Sequence, residues 1–282
     1  MSFVDVNTFA DPTVLENFKT DLSSRFKITD GGPIHHMLGI KITRDRENKK
    51  FILSQGAYVD QMLERFGMSD ANPEDVPMTA IDELYKPGTL TEDVPYRAVV
   101  GSLLYLSNTT RPDLAFCAGV LGRFSGNFQD EHWKAAKKAL RYVKGTRDYG
   151  LILGGGSLDE ITVFTDADYA GDLAERKSTT GIAIYLGESL VSWKSMKQQL
   201  TALSTTEAEM IAATEGAREM LYTKQLLEEM HDETKVKCAM WCDNRATVDI
   251  VNNDTHQGRT KHLDTKYQYV REVVSRNKIA TM

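Results

Sequence analysis

Apolar and polar positions follow a helical period through most of the first half of the chain. The spacing of apolar residues predicts one helix from Pro12 to Phe26, a second from Ser54 to Phe66, and a helical block from Tyr96 to about Lys144. Residues 37–55 alternate instead, which predicts a β-hairpin. Residues 72–95 are rich in proline and acidic side chains without a period, so we expect a linker or long loop there.

The second half begins with a different pattern. It follows glycines at 154–156, which are the best candidate for a boundary between two domains. Strands are predicted at 161–165, 180–186 and 190–193, followed by a long helix from about 204 to 230. A strand at 236–242 and helices at 244–251 and 261–275 complete the series. Strands first, then helix, strand and helix, are typical of a mixed α/β layer fold.

Composition narrows the class of protein. The chain has 282 residues, of which 41% are apolar and 26% charged, as in a soluble globular protein. It has no apolar run long enough for a transmembrane helix and no signal-peptide pattern, so we expect neither a membrane nor a secreted location. Three cysteines suit a reducing compartment, and the net charge of -6 argues against general nucleic-acid binding unless a local basic patch exists.

Acidic residues cluster where the strand at 161–165 ends. Asp166, Asp168 and Asp172 follow within one short segment, ITVFTDADYAGD. Carboxylates at a strand end can hold divalent cations, but aspartates are also common as turn formers. This segment alone therefore leaves both interpretations open.

Two further acidic positions lie at element ends. Asp243 follows the strand at 236–242, and Glu207 and Glu209 lie in the first turns of the long helix. If the two strands are parallel neighbours, Asp166 and Asp243 lie side by side near that helix start. Such carboxylates can hold two divalent ions that act in phosphodiester cleavage. Alternatively, Asp243 caps the next helix and the glutamates favour the helix dipole.

Glu207 and Glu209 cannot both face this site, because roughly 200° of helix separates residues two apart. Glu209 is on the side of Ala212 and Ala213, which we expect to face the sheet. We therefore prefer Glu209 and keep Glu207 as the fallback.

The helix that ends near Lys144 carries basic side chains opposite its apolar stripe. These residues are Lys134, Lys137, Lys138, Arg141 and Lys144. They indicate either a solvated helix face or a surface that follows a phosphate backbone.

Seven motifs occur in order along nearly the whole chain: YRAVVGSLLYLSNTTRPDLAF, HWKAAKKALRYVKGTRDYGLIL, TDADYAGD, KSTTGIAIYLG, SWKSMKQQLTALSTTEAEMIA, CDNRATVDI and RTKHLDTKYQYVRE. Together they resemble the C-terminal part of copia-type retrotransposon Pol polyproteins, which is the end of the reverse transcriptase followed by its ribonuclease H domain.

The resemblance implies an α/β (α+β) fold, with a ribonuclease H-like mixed sheet and flanking helices after a mostly helical thumb and connection region. It implies a palm remnant and start of the thumb at 1–71, a linker and helical thumb/connection region at 72–155, and a ribonuclease H-like domain at 156–282. Asp166, Glu209 and Asp243 match the family's carboxylates, which implies Mg²⁺ or Mn²⁺ and cleavage of the RNA strand of RNA–DNA hybrids. The residues from Lys134 to Lys144 match the region that contacts a template–primer backbone.

The resemblance also implies partners and a location. We expect an RNA–DNA hybrid or template–primer duplex, other Pol or Gag products of the element, and a cytoplasmic virus-like particle or the nucleus. The alternative is a non-catalytic nucleic-acid-binding remnant of a transposable element.

Two departures from the family pattern qualify these expectations. Phe3-Val4-Asp5-Val6 stands where the polymerase has an aromatic-x-Asp-Asp turn, and valine cannot bind a metal, so we expect no DNA synthesis by this chain alone. The family continues past the last helix into a fifth strand and a helix with a fourth carboxylate, whereas this sequence stops at Met282. We expect a three-carboxylate site with weak or lost activity, an exposed sheet edge, and Asp264 in the first turn of its own helix.

Overall fold

The N-terminal part of the protein combines helices with a small sheet. The computed structural model describes residues 12–78, 80–89, 94–157, 159–230, 235–252, 264–277 and 280–281. Up to residue 154 the elements are, in chain order, α1 (Pro12–Arg25), β1 (His36–Met37), β2 (Ile40–Asp45), β3 (Lys50–Ser54), α2 (Gly56–Arg65), α3 (Ile81–Leu84), α4 (Tyr96–Ser107), a short 3-10 helix (Pro112–Leu114), α5 (Ala115–Arg123), α6 (Asp130–Gly145) and β4 (Gly150–Gly154).

The C-terminal part supplies the second sheet and its helices. Its elements are β5 (Glu160–Asp168), β6 (Thr179–Leu186), β7 (Ser189–Lys197), α7 (Thr205–Met230), β8 (Lys237–Cys242), α8 (Arg245–Asn252), α9 (Asp264–Asn277) and β9 (Ala280–Thr281). The order and type of the predicted elements are confirmed. Asp264 is the first residue of α9, as expected.

Each part has its own group of buried apolar side chains. In the N-terminal part they come from α2, α4, α5 and α6, where Val59, Leu103, Leu121 and Leu140 are almost fully inaccessible to solvent. A second group lies between the second sheet and α7 and α9. Burial of these side chains is the main driving force for folding of each layer.

The first sheet is antiparallel and joins segments from distant parts of the sequence. Within the described residues its order is β1-β2-β3-β4, and β4 pairs with β3 from Lys50↔Gly154 to Ser54↔Gly150. A Cβ atom on Gly150 would lie 2.1 Å from the Leu53 carbonyl oxygen, which explains the glycine at this position. The sequence predicted the hairpin of β2 and β3, but not that β4 joins it.

The second sheet is mixed and confirms the predicted fold class. Its order is β7-β6-β5-β8-β9, with β5, β6 and β7 antiparallel and with β8 parallel to both β5 and β9. Ala280 and Thr281 pair with Ala239 and Met240, so the expected fifth strand begins at this edge.

The predicted start of the second helix at Ser54 is wrong. Ser54 belongs to β3, and the residue that precedes α2 is Gln55, which makes no side-chain cap hydrogen bond. Gly145 is the last residue of α6 and does not follow it in a left-handed conformation. A Cβ on Gly145 would lie 3.1 Å from the Pro73 side chain, so close packing is the reason for this glycine.

The two parts contact each other along β7. The indole nitrogen of Trp193 donates a hydrogen bond to the Ser107 carbonyl at 2.7 Å, and the Gly154 amide donates to the Ser189 hydroxyl at 2.7 Å. The second sheet is thus anchored at its β7 edge to α4 and to the end of the first sheet. None of the helices in the described ranges combines the length and apolarity needed to cross a membrane.

The close approach of α7 to β5 depends on Gly216. A Cβ at this position would lie 2.4 Å from the Thr165 methyl group, so Gly216→Ala forces the helix and strand apart. We expect it to lower the free energy of unfolding by about 1–3 kcal/mol. Urea denaturation followed by circular dichroism measures this change.

Gly101 in α4 is the matched control, because a Cβ there would meet no atom within 4 Å. Gly101→Ala is expected to be neutral or to stabilise by up to about 1 kcal/mol. Equal effects of the two substitutions would contradict the packing argument.

Candidate metal centre

Parallel pairing of β5 with β8 brings two of the predicted carboxylates to one edge of the sheet. The register aligns Thr165 with Cys242, so Asp166 and Asp243 follow at adjacent positions. Both side chains are exposed at this edge. The expectation that the two strands are parallel neighbours is confirmed.

Helix α7 contributes the third carboxylate from within its buried face. Glu209 is only 6% exposed, and its Oε1 accepts a hydrogen bond from the Ala167 amide at 3.3 Å. The Cys242 thiol donates to its Oε2 at a distance of 3.8 Å. One potential ligand atom from each of Glu209, Cys242 and Asp243 lies within 4.8 Å of the other two.

Asp166 is outside this closest group, but its charge still acts on Glu209. Burial raises the pKa of Glu209, and the neighbouring charges of Asp166 and Asp243 raise it further, to about 7. Burial, together with the charges of Glu209 and Asp243, also raises the pKa of the Cys242 thiol to about 11. The three carboxylates therefore form one electrostatically coupled cluster.

Glu207 has a different role at the start of the helix. Its carboxylate accepts a hydrogen bond from the Leu203 amide at 2.7 Å, while its own amide donates to the Ser204 hydroxyl at 3.1 Å. Such reciprocal bonds satisfy backbone donors before the first turn. This arrangement favours Glu209 over Glu207 as a ligand, but the assignment remains a prediction.

Asp168 and Asp172 differ sharply although both follow Asp166 closely. Burial raises the pKa of Asp168, and the charge of Asp166 adds to this effect. Asp172 is 2% exposed and accepts hydrogen bonds from the amides of Ala174 and Glu175, which is the turn-forming alternative that the sequence left open.

Asp172 also forms ion pairs that the sequence did not indicate. Its Oδ2 lies 3.2 Å from Arg123 Nη1 and 3.0 Å from Lys197 Nζ. Burial opposes ionisation of Asp172, but the Glu175 amide and the Lys197 ammonium outweigh it and lower the pKa to about 2. No sequence motif signals a contact between Asp172 and Arg123, because 49 positions separate them.

The donor set fits a hard divalent cation. Asp166, Glu209 and Asp243 offer carboxylate oxygens, which Mg²⁺ and Mn²⁺ prefer, whereas the Cys242 sulfur suits softer metals. Mutual repulsion among the carboxylates favours any cation that neutralises them. Cys242 is the member of the cluster that sequence reasoning missed, and its position next to Asp243 was the available signal.

The basic side chains of α6 have several different environments. Lys134 pairs with Glu131 at 2.6 Å, and Lys137 lies over the Trp133 ring at 5.6 Å. Arg141 donates to the Asn72 carbonyl at 2.6 Å and Lys144 to the Ala71 carbonyl at 2.8 Å. The last two side chains therefore hold the segment around residues 69–74 against α6.

A groove of about 450 Å³ borders this helix. The residues that line it are Met68, Glu74, Glu83, Glu131, Lys134, Ala135, Lys137, Lys138 and Arg141. It carries both signs of charge, so it is not the uniformly basic surface that the sequence suggested. The predicted role of the five basic residues in binding nucleic acid stays a prediction. Asp5 and Val6 lie outside the described residues.

Strand order defines the fold class: an α/β unit with a mixed five-stranded sheet and flanking helices, attached to a largely helical part. Residues 4–80 match a family model described as reverse transcriptase (RNA-dependent DNA polymerase). Over 272 residues the chain is 42% identical to the retrovirus-related Pol polyprotein from transposon TNT 1-94 of Nicotiana tabacum, with 94% of this chain and 20% of that protein covered.

A second relative is the retrovirus-related Pol polyprotein from transposon RE1 of Arabidopsis thaliana. It is 35% identical over 266 residues, which cover 94% of this chain and 18% of that protein. The chain belongs to the family of copia-type retrotransposon Pol polyproteins. It spans about a fifth of the length of these two relatives.

Among solved structures, LC11-RNase H1, isolated from compost, aligns with a TM-score of 0.33 and 14% identity. The alignment covers 44% of this chain and 83% of that one. At this score the likeness has no bearing on the fold, which the strand order of the second sheet defines by itself.

The raised pKa of Glu209 predicts an unusual dependence of stability on pH. A glutamate titrates near 4.3 in an unfolded chain, whereas Glu209 titrates near 7 when folded. The folded state therefore binds more protons between these values, and its stability falls as the pH rises from about 4.3 through 7. Glu209→Gln removes this loss and should raise metal-free stability at pH 8 by roughly 1–3 kcal/mol.

Thermal denaturation at pH 5 and pH 8 measures the effect, with Glu207→Gln as the matched control on the same helix. The control should keep the wild-type difference between the two pH values. A Glu209→Gln protein that keeps the same difference would contradict the coupled-cluster description.

Proposed function

We propose that this chain hydrolyses the RNA strand of RNA–DNA hybrids in the manner of a ribonuclease H. The observation that supports this most is the convergence of Asp166, Glu209 and Asp243 at the ends of β5, β8 and the start of α7. Burial and the charges of Asp166 and Asp243 raise the pKa of Glu209, so a bound cation would favour its ionised form. Phosphodiester cleavage by such sites uses cations at that point.

Asp166, Glu209 and Asp243 would hold Mg²⁺ or Mn²⁺. Bound ions of this kind activate a water molecule and stabilise the leaving oxygen. The side chain of Glu209 is fixed by the Ala167 amide and cannot swing away easily, so it would orient the cluster. The exposed carboxylates of Asp166 and Asp243 remain accessible from solvent, where a hybrid can approach.

We also propose the domain assignment that the family suggests. Residues 1–71 would be the palm remnant and start of the thumb, 72–155 the linker and helical thumb/connection region, and 156–282 the ribonuclease H-like domain. The two separate groups of buried side chains support a division near residue 155. Because Val6 replaces a metal-binding aspartate, we propose that this chain alone does not synthesise DNA.

Cleavage of a labelled RNA–DNA hybrid in Mg²⁺ or Mn²⁺ tests the proposed activity. We expect slow cleavage, because the described part of the chain brings together three carboxylates, one fewer than the family pattern has. Asp166→Asn and Glu209→Gln should each reduce it by roughly 10²-fold or more, because each removes a charge from the metal-binding cluster.

Glu207→Gln is the control for the glutamate substitution, and its activity should stay within about three-fold of wild type. Cleavage that survives Asp166→Asn would overturn the proposed site. A wild-type chain that binds hybrid but never cuts it would favour the second candidate function.

That second candidate is a non-catalytic nucleic-acid-binding remnant of a transposable element. The supporting observation is that Lys137 and Lys138 line the α6 groove and form no ion pair with the residues that the structure describes. They are therefore the members of the predicted stripe best placed to meet a phosphate backbone. The ligand would be an RNA–DNA hybrid or a template–primer duplex.

Combined charge reversal, Lys137→Glu with Lys138→Glu, tests this binding surface. If both lysines contact phosphates, hybrid affinity should fall and the slope of log K against log salt should decrease by about 2. Fluorescence anisotropy at several salt concentrations measures both quantities.

The matched control changes two exposed lysines elsewhere in the N-terminal part, Lys27→Glu with Lys41→Glu, and alters net charge equally. An equal loss of affinity in both double variants would mean that net charge, and not this surface, governs binding.

We also propose partners and a location for the chain. The partners would be other Pol or Gag products of the element, and the location would be a cytoplasmic virus-like particle or the nucleus.

A further inference from the structure

Besides the contacts along β7, the two parts of the protein meet at a buried carboxylate, Asp172. Besides Arg123 and Lys197, Tyr85 donates a hydrogen bond to it. Arg123 ends α5 and Tyr85 follows α3, so both come from the N-terminal part, whereas Lys197 ends β7. Side chains from three separate elements thus converge on one loop residue.

That loop directly continues the strand that carries Asp166. Asp172 closes it on itself: its amide donates to the Lys177 carbonyl at 3.0 Å, and the Arg176 amide donates to the Asp172 carbonyl at 2.7 Å. Nearer the strand, the Ala170 amide donates to the Ser178 hydroxyl at 3.1 Å. These bonds make the loop a stiff connection between Asp172 and the end of β5.

Arg123 holds both sides of this connection. Nη1 lies 3.2 Å from Asp172 Oδ2, and Nη2 donates to the Thr179 hydroxyl at 3.5 Å, at the first residue of β6. Thr179 pairs with Asp168 across the sheet. The guanidinium therefore bridges the loop to the strand that lies beside Asp168.

We propose that Arg123 is a positioning residue for the carboxylate centre, acting through Asp172 and Thr179 to fix the β5 end from which Asp166 projects. This inference rests on the proposed function, because it assumes that Asp166 helps to bind the metal. The N-terminal part would then be necessary for full metal affinity, although all the proposed metal ligands belong to the C-terminal part.

Lys197 cannot replace Arg123 in this role. Its ammonium is shared between Asp172 and Glu175, at 3.0 and 2.7 Å, and both partners belong to the same loop. It therefore joins the loop to β7, within the C-terminal part, but not to the N-terminal part. Without Arg123 the carboxylate keeps a cation, so the chain should still fold, while the loop loses its ion pair with α5 and the bridge to Thr179.

Mn²⁺ binding to the full chain tests the inference, with free Mn²⁺ measured by electron paramagnetic resonance. Arg123→Ala should raise the Kd for Mn²⁺ roughly 10-fold, the size of effect expected when a partner that orients metal ligands is lost. Arg123→Lys keeps the charge at Asp172 and should restore affinity to within about 3-fold of wild type. Hydrogen exchange should become faster in residues 169–178 of Arg123→Ala.

Arg147→Ala is the matched control. Arg147 donates to Asp60 at 2.7 Å, so its substitution breaks an arginine–aspartate pair that lies entirely in the N-terminal part. It should leave Mn²⁺ affinity unchanged. An equal loss of affinity in Arg147→Ala and Arg123→Ala would overturn the positioning role in favour of general destabilisation.

Asp166→Asn separates the two ways in which the inference could fail. If Asp166→Asn loses Mn²⁺ but Arg123→Ala binds it like wild type, Arg123 only docks the two parts and the positioning role is wrong. If Asp166→Asn binds Mn²⁺ like wild type, the proposed metal centre itself is wrong, and the positioning role fails with it.

Discussion

Parallel pairing of β5 with β8 is the constraint on which the rest of the C-terminal part depends. Parallel strands cannot be joined by a tight turn and need a long crossover connection. Here β6, β7 and α7 lie between them in the chain, and α7 packs across the sheet to reach β8. The same helix that completes the crossover therefore carries Glu209 to the strand ends.

Two buried carboxylates near the end of β5, Glu209 and Asp172, have opposite electrostatic surroundings. Burial raises the pKa of Glu209, and its acidic neighbours Asp166 and Asp243 raise it further, to about 7. Asp172 is equally inaccessible, yet backbone amides and Lys197 lower its pKa to about 2. Burial alone would raise the pKa of both, so the neighbouring groups are what lower the pKa of Asp172, whereas they add to the effect of burial at Glu209.

The basic side chains of α6 illustrate that helical spacing predicts the side of a helix on which a residue lies, but not the contacts that the residue makes. The spacing correctly separated the apolar and basic sides of the helix. It could not show that Arg141 and Lys144 reach back to carbonyls of the preceding segment. Long side chains at the edge of a helix are as able to bind the protein's own backbone as an external phosphate. Whether such a side chain binds the backbone or stays available for a phosphate depends on where a distant loop lies.

The sequence by itself determined the order and type of most elements and the acidic residues at their ends, but not β1, β4 or the short helix α3 within the expected loop at 72–95. The features that it determined follow from local periodicity and from short motifs, each confined to one strand and its end. Asp166 lies near the end of β5, and Asp243 directly follows β8. Only the tertiary structure decided that Cys242 joins Glu209, that β4 pairs with β3, and that Arg123 binds Asp172. These contacts join residues far apart in the chain, and they depend on how whole elements pack, which local patterns do not specify.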